Sequence, residues 1–207
     1  GALVPKRNIP FENDEIKKTR TTCVYCGVGC QMNLLTKGDK VVGTEPLDVV
    51  PNNGLLCVKG AFAYNFVNHK DRLKTPLIKK DGIFVESSFD EAIAFIAEKL
   101  TNIKKIYGRE SIAGLTSARC TNEENYLMQK FMRAVIGNNN IDHCARLCHA
   151  TTVSGLAETV GSGAMTNSIS EIEKADTIFV IGSNTTETHP VIGTYIQKAK
   201  RSGKNLI

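Results

Sequence analysis

Apolar residues along this chain change their spacing twice. The first stretch, residues 1–20 (GALVPKRNIPFENDEIKKTR), holds no sustained apolar period and is rich in charge, so it reads as a linker or arm. From Thr21 to about Gly60 short alternating runs appear. QMNLLT and KVVGTE flank the turn Lys37-Gly38-Asp39 and predict a β-hairpin. From about Ser87 the period lengthens. Ser88 and Glu91 form a capping box ahead of Ala92, Ile93, Ile96, Leu100 and Ile103, which recur at helical spacing until Gly108 stops them. A short strand at Ile112–Leu115 and a helix over Asn122–Ile136, ended by Gly137, follow. The continuous run Thr177–Ile181, bounded by Gly182, predicts a buried parallel strand. Val191–Arg201 reads as helix, and Asn205-Leu206-Ile207 as the start of another strand. The pattern is α/β, with a small β-rich piece over 21–75 and an alternating region over 76–207. A strand that opens at the last residues leads us to expect a truncated chain.

Composition narrows the class. At 207 residues and 42% hydrophobic content, one medium domain and a small one can be built. The net charge of +5 is spread along the chain and makes no case for nucleic acid. No apolar run reaches membrane-spanning length and no secretory leader is visible. Seven cysteines is an odd count, and four of them fall in a ligand-like spacing. Both points favour a reducing, cytoplasmic setting over a disulfide framework.

Those four give the chain its most specific chemistry. Cys23, Cys26 and Cys30 lie in CVYCGVGC and Cys57 in GLLCVKG, which is C-x2-C-x3-C-x26-C. A [4Fe–4S] cube needs four converging thiolates, and the short loop can supply three. Gly27 and Gly29 let that loop bend and bring N–H groups toward sulfur. Structural zinc and disulfides are the alternatives, although zinc usually takes two paired knuckles and Cys57 stands alone. Lys59, two residues on, is either a surface lysine or a cation beside the cluster. The run HCARLCHA carries His143, Cys144, Arg146, Cys148 and His149, which can be a metal or nucleophilic site or simple packing at a helix start. Gly182-Ser183-Asn184, followed by Thr185, Thr186 and Thr188, sits where α/β folds bind ligands, and small hydroxyls there suit phosphate oxygens.

In this order, CVYCGVGC, GLLCVKG, DRLKTPLI, SFDEAI, NEENYLMQKFMRAVIGNNNID, HCARLCHATTVSGL, GSGAMTNSI and VIGSNTTETHP resemble the catalytic subunit of molybdenum- or tungsten-dependent formate dehydrogenases, which are bis-pterin guanine dinucleotide oxidoreductases. The resemblance runs from about Thr21 to the last residue. It implies a [4Fe–4S] domain followed by the start of an αβα, Rossmann-like pterin-binding domain. It places the cluster on Cys23, Cys26, Cys30 and Cys57, and makes Lys59 the bridge from cluster to pterin. Cys148 becomes the protein ligand to Mo or W, in a position where many relatives carry selenocysteine. His149 lies beside the metal and handles the formate proton. Ser117 and Arg119 match a pterin-contacting loop, and Gly182, Ser183 and Asn184 a loop that holds one dinucleotide.

The implied reaction is formate oxidation to CO2, or its reverse. Electrons leave through the cluster to iron–sulfur subunits, a hydrogenase, or an NAD(P)- or ferredoxin-linked partner. The family's formate-binding arginine lies beyond Ile207, so the chain by itself is expected to be inactive. Two other readings stay open. Related nitrate reductases carry a methionine where this chain has His149. A non-catalytic iron–sulfur module of a larger redox complex generally lacks the Cys148-His149 pair altogether.

Overall fold

A computed structural model describes residues 15–207 as two compact units, one of residues 15–72 together with 166–207, the other of Leu73–Met165. The expected division at residue 75 therefore differs from the packing, since the last forty or so residues fold with the cysteine-rich segment. Among the described residues no helix is long and apolar enough to cross a membrane.

The first unit is built on a three-stranded antiparallel sheet. Its strands are β1 (Lys17–Thr22), β2 (Gln31–Lys37) and β3 (Lys40–Pro46), in the order β1-β2-β3. The β2–β3 hairpin forms at the expected turn, where Gly38 takes a φ of 51°. Strand β1 corrects the reading of residues 1–20 as an arm, while residues 1–14 lie outside the described set. KKTRTT has no apolar alternation because β1 is an exposed edge strand. It is held by its ladder to β2 and by the Lys18–Glu45 ion pair at 2.9 Å. Lysines on such an edge also discourage pairing with another chain.

Beyond the sheet, α1 (Val58–Phe62) starts directly after Cys57. A 3-10 turn at Asn65–Asn68 follows, tied to β3 by Asn68, whose Nδ2 donates to Val41 O and whose Oδ1 accepts from Val41 N.

The returning segment adds a 3-10 helix at Ile169–Lys174, then β8 (Thr177–Ile178), α6 (Thr185–Thr188), α7 (Pro190–Arg201) and β9 (Asn205–Leu206). β8 and β9 pair in parallel across α6 and α7, a small β-α-β unit. The expected strand Thr177–Ile181 is shorter than its apolar run. Phe179 and Ile181 are largely exposed, because they lie on the face opposite the half-buried Ile178 and Val180.

The second unit opens with the hairpin β4 (Leu77–Lys80) and β5 (Ile83–Glu86). Helix α2 (Phe89–Tyr107) begins at the predicted capping box, with Ser88 Oγ accepting from Glu91 N, and ends at Gly108. Strand β6 (Gly114–Thr116) pairs in parallel with β7 (Ile141–His143). Between them lies α3 (Asn122–Lys130), capped by Thr121 and Glu124. The predicted single helix to Ile136 changes at Phe131 into a π-helical turn, Phe131–Ile136, before Gly137 closes it in the left-handed region. That widened turn presses Met132 fully into the core with Ile112 and Ile136. Gly114 makes room for it, since a Cβ there would stand 3.1 Å from Met132 Cγ. Much of the α2 stripe stays uncovered, with Ile93, Ile96, Phe131, Val135 and Ile136 lining an open apolar groove of about 630 Å³.

One fully buried polar side chain organises the first unit. Asn52 accepts from Gln31 N at 2.7 Å and donates Nδ2 to the carbonyls of Gln31, Leu47 and Leu55. Removing it takes the side-chain partner from Gln31 N and Leu55 O, while the Gln31 and Leu47 carbonyls keep their bonds from Leu47 N and Gly54 N. Asn52→Ala is expected to cost at least about 2 kcal/mol, read as a lowered urea midpoint. An unchanged midpoint would remove Asn52 from this role.

Candidate metal and cofactor sites

Three of the four cluster cysteines lie on the loop from β1 to β2. Cys23 N donates to Cys30 O at 2.8 Å and closes that loop on itself. Gly27 and Gly29 hold φ values of 76° and 83°, a region that side-chain-bearing residues seldom adopt, so the expected tight bend is present. Cys57 stands at the N-terminus of α1.

Several contacts bring α1 against the loop. Tyr25 OH hydrogen-bonds the carbonyl of Ala63 at the end of α1. Thr44 Oγ1 donates to the carbonyls of Gly60 and Ala61 at 2.9 and 3.0 Å. Gly60 packs so closely that a Cβ would lie 3.6 Å from Cys23 Sγ. Asn52 joins the residue after Cys30 to the segment leading into Cys57. A final layer comes from far along the sequence. Val191 and Tyr195 of α7 bury against Val28 and Cys30, and Tyr195 OH donates to Pro51 O at 3.1 Å.

The four thiols feel one another. Burial, followed by the charges of Cys23, Cys26 and Cys57, pushes the Cys30 thiol up to about 11. Cys23 is also raised, mainly by burial, against a lowering hydrogen bond from the Tyr25 backbone. That bond is the N–H-to-sulfur contact expected of this loop. The donor set thus fits an iron–sulfur cube. Cys23 and Cys26 pack against the core that holds Cys30, and the charges of the other cysteines of the set raise the Cys23 and Cys30 thiols, a repulsion bound iron would relieve. Among the described residues no three His, Cys, Asp or Glu side chains are drawn together as a site for a single ion. Lys59 is exposed on α1, two residues from Cys57.

In the same unit, Gly182, Ser183 and Asn184 form the turn between the β8 ladder and α6. Gly182 has a φ of 61°. Ser183 Oγ and Thr185 Oγ1 lie 2.8 Å apart, and Asn184 Nδ2 donates to Glu187. With Thr186, Gln197 and Leu206 they line a cavity of about 450 Å³. Gly193 lets α7 approach this turn, since a Cβ there would meet Thr186 Cα at 3.0 Å. Small hydroxyls around an open cavity are a donor set suited to a phosphate-bearing ligand.

The second unit holds the remaining candidates. Cys148 ends the single-turn helix α4 (Ala145–Cys148), and His149 breaks the chain direction before α5 (Ala150–Val160). Both side chains are exposed, so neither is consumed by core packing. Arg146 Nε donates to Asp142 Oδ2 at 2.9 Å. Asp142 Oδ1 accepts from His143 N, and this bond, with the Arg146 contact, lowers the Asp142 carboxyl. Ser117 and Arg119 follow β6, where Arg119 N donates to Ser117 Oγ at 3.1 Å.

Two family models match this chain, Molybdopterin oxidoreductase over residues 72–207 and the Molybdopterin oxidoreductase Fe4S4 domain over residues 16–69. The chain belongs to the molybdopterin oxidoreductase family. Its two domain matches support a [4Fe–4S] cluster and a molybdopterin as the cofactors. The chain is 52% identical over 194 residues to F420-dependent formate dehydrogenase 1 subunit alpha of Methanococcus maripaludis, covering 93% of this chain and 28% of that protein. It is 50% identical to F420-dependent formate dehydrogenase subunit alpha of Methanocaldococcus jannaschii, with the same coverage of 93% and 28%. It is 47% identical to Probable oxidoreductase YjgC of Bacillus subtilis, covering 95% of this chain and 20% of that one. This molybdopterin oxidoreductase chain thus spans less than a third of the length of these relatives. The fold is shared with acetylene hydratase from Pelobacter acetylenicus at a TM-score of 0.68 and 22% identity, over 92% of this chain and 26% of that one.

Sequence reasoning missed the residues that hold the cluster cysteines in place, namely Asn52, Tyr25, Thr44 and Tyr195. Asn52 sits in a PNNG stretch that reads only as a turn, and Tyr195 lies 144 residues from its partner Pro51.

The raised thiols make a pH prediction. A thiol raised in the fold binds its proton more tightly there than in the unfolded chain. The metal-free protein therefore has its full stability below about pH 8.5, the ordinary thiol value. It loses stability as pH rises toward about 11. Urea midpoints across that window should fall for metal-free protein. A flat profile would contradict the crowding of these thiols. Separately, Cys57→Ser should lose most bound iron after anaerobic reconstitution while Cys120→Ser keeps it. Stoichiometric zinc with no iron in the unsubstituted protein would reject the cluster.

Proposed function

We propose that this chain is part of the catalytic subunit of a molybdenum- or tungsten-dependent formate dehydrogenase. In this reading it oxidises formate to CO2, or runs the reverse, with electrons leaving through the [4Fe–4S] cluster. The observation that carries the reading is the exposed Cys148–His149 pair at the joint of α4 and α5, in a chain about half identical to proteins named formate dehydrogenase alpha subunits.

Each residue then has a task. Cys148 supplies a soft thiolate to Mo or W, and its place at the end of a short exposed turn leaves the sulfur accessible. His149 takes the proton released from formate, as an imidazole with a value near neutral in its free state can. Ser117 and Arg119 contact one pterin. Gly182, Ser183 and Asn184, with the neighbouring hydroxyls, hold one guanine dinucleotide of the bis-molybdopterin cofactor. Held by Cys148 and the pterins, a Mo or W centre would supply a two-electron acceptor for formate. Lys59 provides a fixed positive charge on the way to the cluster, and Cys23, Cys26, Cys30 and Cys57 hold the cluster that passes electrons on singly. A further electron-accepting subunit is the implied partner, in keeping with relatives named as alpha subunits. We place the protein in the cytoplasm on its unpaired, ligand-like cysteines.

A set of variants in the full-length protein tests these roles. Cys148→Ala should lose activity and change the metal's coordination. His149→Ala should cut formate oxidation at least about a hundredfold with metal content kept, the usual scale for a general acid–base group. Lys59→Ala should slow reduction of the cluster by formate while costing within about 0.5 kcal/mol of stability. Full turnover by a fully metallated His149→Ala or Lys59→Ala protein would remove that residue from the mechanism. Nitrate reduction without formate oxidation by the unsubstituted enzyme would replace the reading with its nitrate-reducing relative. A metal-free, cluster-loaded full-length protein would favour a non-catalytic iron–sulfur module.

A further inference from the structure

Cys144 is an exposed cysteine of the second unit whose sulfur accepts hydrogen bonds from the loop after β6. Its Sγ accepts from Ala118 N at 3.2 Å and from the Ser117 hydroxyl at 3.9 Å. Ser117 Oγ in turn accepts from Arg119 N at 3.1 Å, so two residues of the loop after β6 meet the thiol and a third is tied to it through Ser117. On the other side Sγ lies 3.8 Å from His143 Nδ1. That nitrogen accepts from Ala145 N at 3.0 Å, so its one lone pair is taken and the sulfur beside it makes a packing contact.

The backbone of Cys144 reaches both ways as well. Its N–H donates to Thr116 O at 3.2 Å. Its carbonyl accepts from Leu147 N at 3.2 Å and from Cys148 N at 3.1 Å, and the residue caps the turn α4. One residue thus fastens the 116–119 loop and starts the turn that ends in Cys148.

We propose that Cys144 is a positioning residue which sets the pterin-contacting loop, through Ser117, Ala118 and Arg119, against the turn bearing the metal-ligating Cys148. The proposal rests on the reading of Ser117, Arg119 and Cys148 given above. Cys144 does not itself bind the metal, since its sulfur serves as acceptor to Ala118 N and the Ser117 hydroxyl. Its contribution is to orientation. A shift of about 1 Å in a positioning element costs on the order of a hundredfold in rate without weakening substrate binding in proportion.

The test uses the full-length, metal-loaded enzyme with Cys144→Ala and Cys144→Ser. In the alanine variant iron and Mo or W contents should stay at wild-type levels. The EPR spectrum of the metal should change its anisotropy, and kcat should fall at least about tenfold with KM little changed. Serine can still accept from Ala118 N, so Cys144→Ser should restore most of kcat and the wild-type spectrum. An alanine variant with the wild-type spectrum and kcat overturns the proposal. So does loss of metal from Cys144→Ala with retention by Cys148→Ala, which would make Cys144 the ligand. Should the alanine variant fail to fold, shown by loss of the cluster iron, the serine variant decides: an alanine-like loss of function in a folded serine protein counts against hydrogen-bonded positioning. The EPR comparison needs no turnover. Failure of the unsubstituted enzyme to oxidise formate would strike the functional reading and leave the role of Cys144 to be decided by the spectra.

Discussion

The crowding of Cys23 and Cys30, by burial and by the charges of Cys26 and Cys57, is the constraint on which the first unit depends. As anions they repel one another, and burial adds to the cost, which is why Cys30 holds its proton up to about 11 and Cys23 is raised with it. A chain with only a small sheet to offer must fix those thiols by other means. It does so with backbone hydrogen bonds and a single buried amide. Cys23 N to Cys30 O closes the loop, and Asn52 binds the loop's exit to the segment entering Cys57. The cluster is the natural counter-charge to this arrangement, so metal binding and folding of the unit are linked.

The same unit carries the turn proposed for a dinucleotide beside the helix that covers the cysteine loop. Helix α7 lays Val191 and Tyr195 on Val28 and Cys30, and Gly193 of that helix sits against Thr186 beside the hydroxyl-lined turn. One helix therefore touches both the shell of the cluster and the turn proposed for a dinucleotide. In the second unit a parallel strand pair, β6 and β7, delivers the loop of Ser117 and Arg119 and the turn of Cys148 from adjacent strand ends. Placing ligand-binding loops at strand ends is a general property of α/β folds.

Much of this was legible from local pattern. The hairpin needed only two alternating runs around Gly38, and α2 only its capping box and Gly108. The cysteine spacing named the cluster because three ligands fall within eight residues of loop. What was hidden is non-local or lacks an apolar signature. Strand β1 is all polar, since an edge strand is held by its ladder and not by burial. The π-helical turn after Lys130 follows from seating Met132 in the core, which helical periodicity does not reveal. The apolar run Thr177–Ile181 and the α2 stripe were read correctly as hydrophobic, yet Phe179, Ile181 and Ile93 are uncovered here. Cys144 was noticed only as part of HCARLCHA, because its partners Ser117 and Ala118 lie more than twenty residues earlier.

The central claim is that Cys23, Cys26, Cys30 and Cys57 hold one cubane cluster. Mössbauer spectroscopy of the anaerobically reconstituted protein, loaded with Mössbauer-active iron, tests it most directly because every iron atom is seen. The account predicts delocalised mixed-valence iron typical of one [4Fe–4S] cluster per chain, lost together with bound iron in Cys57→Ser. Isolated iron in a single four-thiolate site, or no bound iron at all, would contradict it.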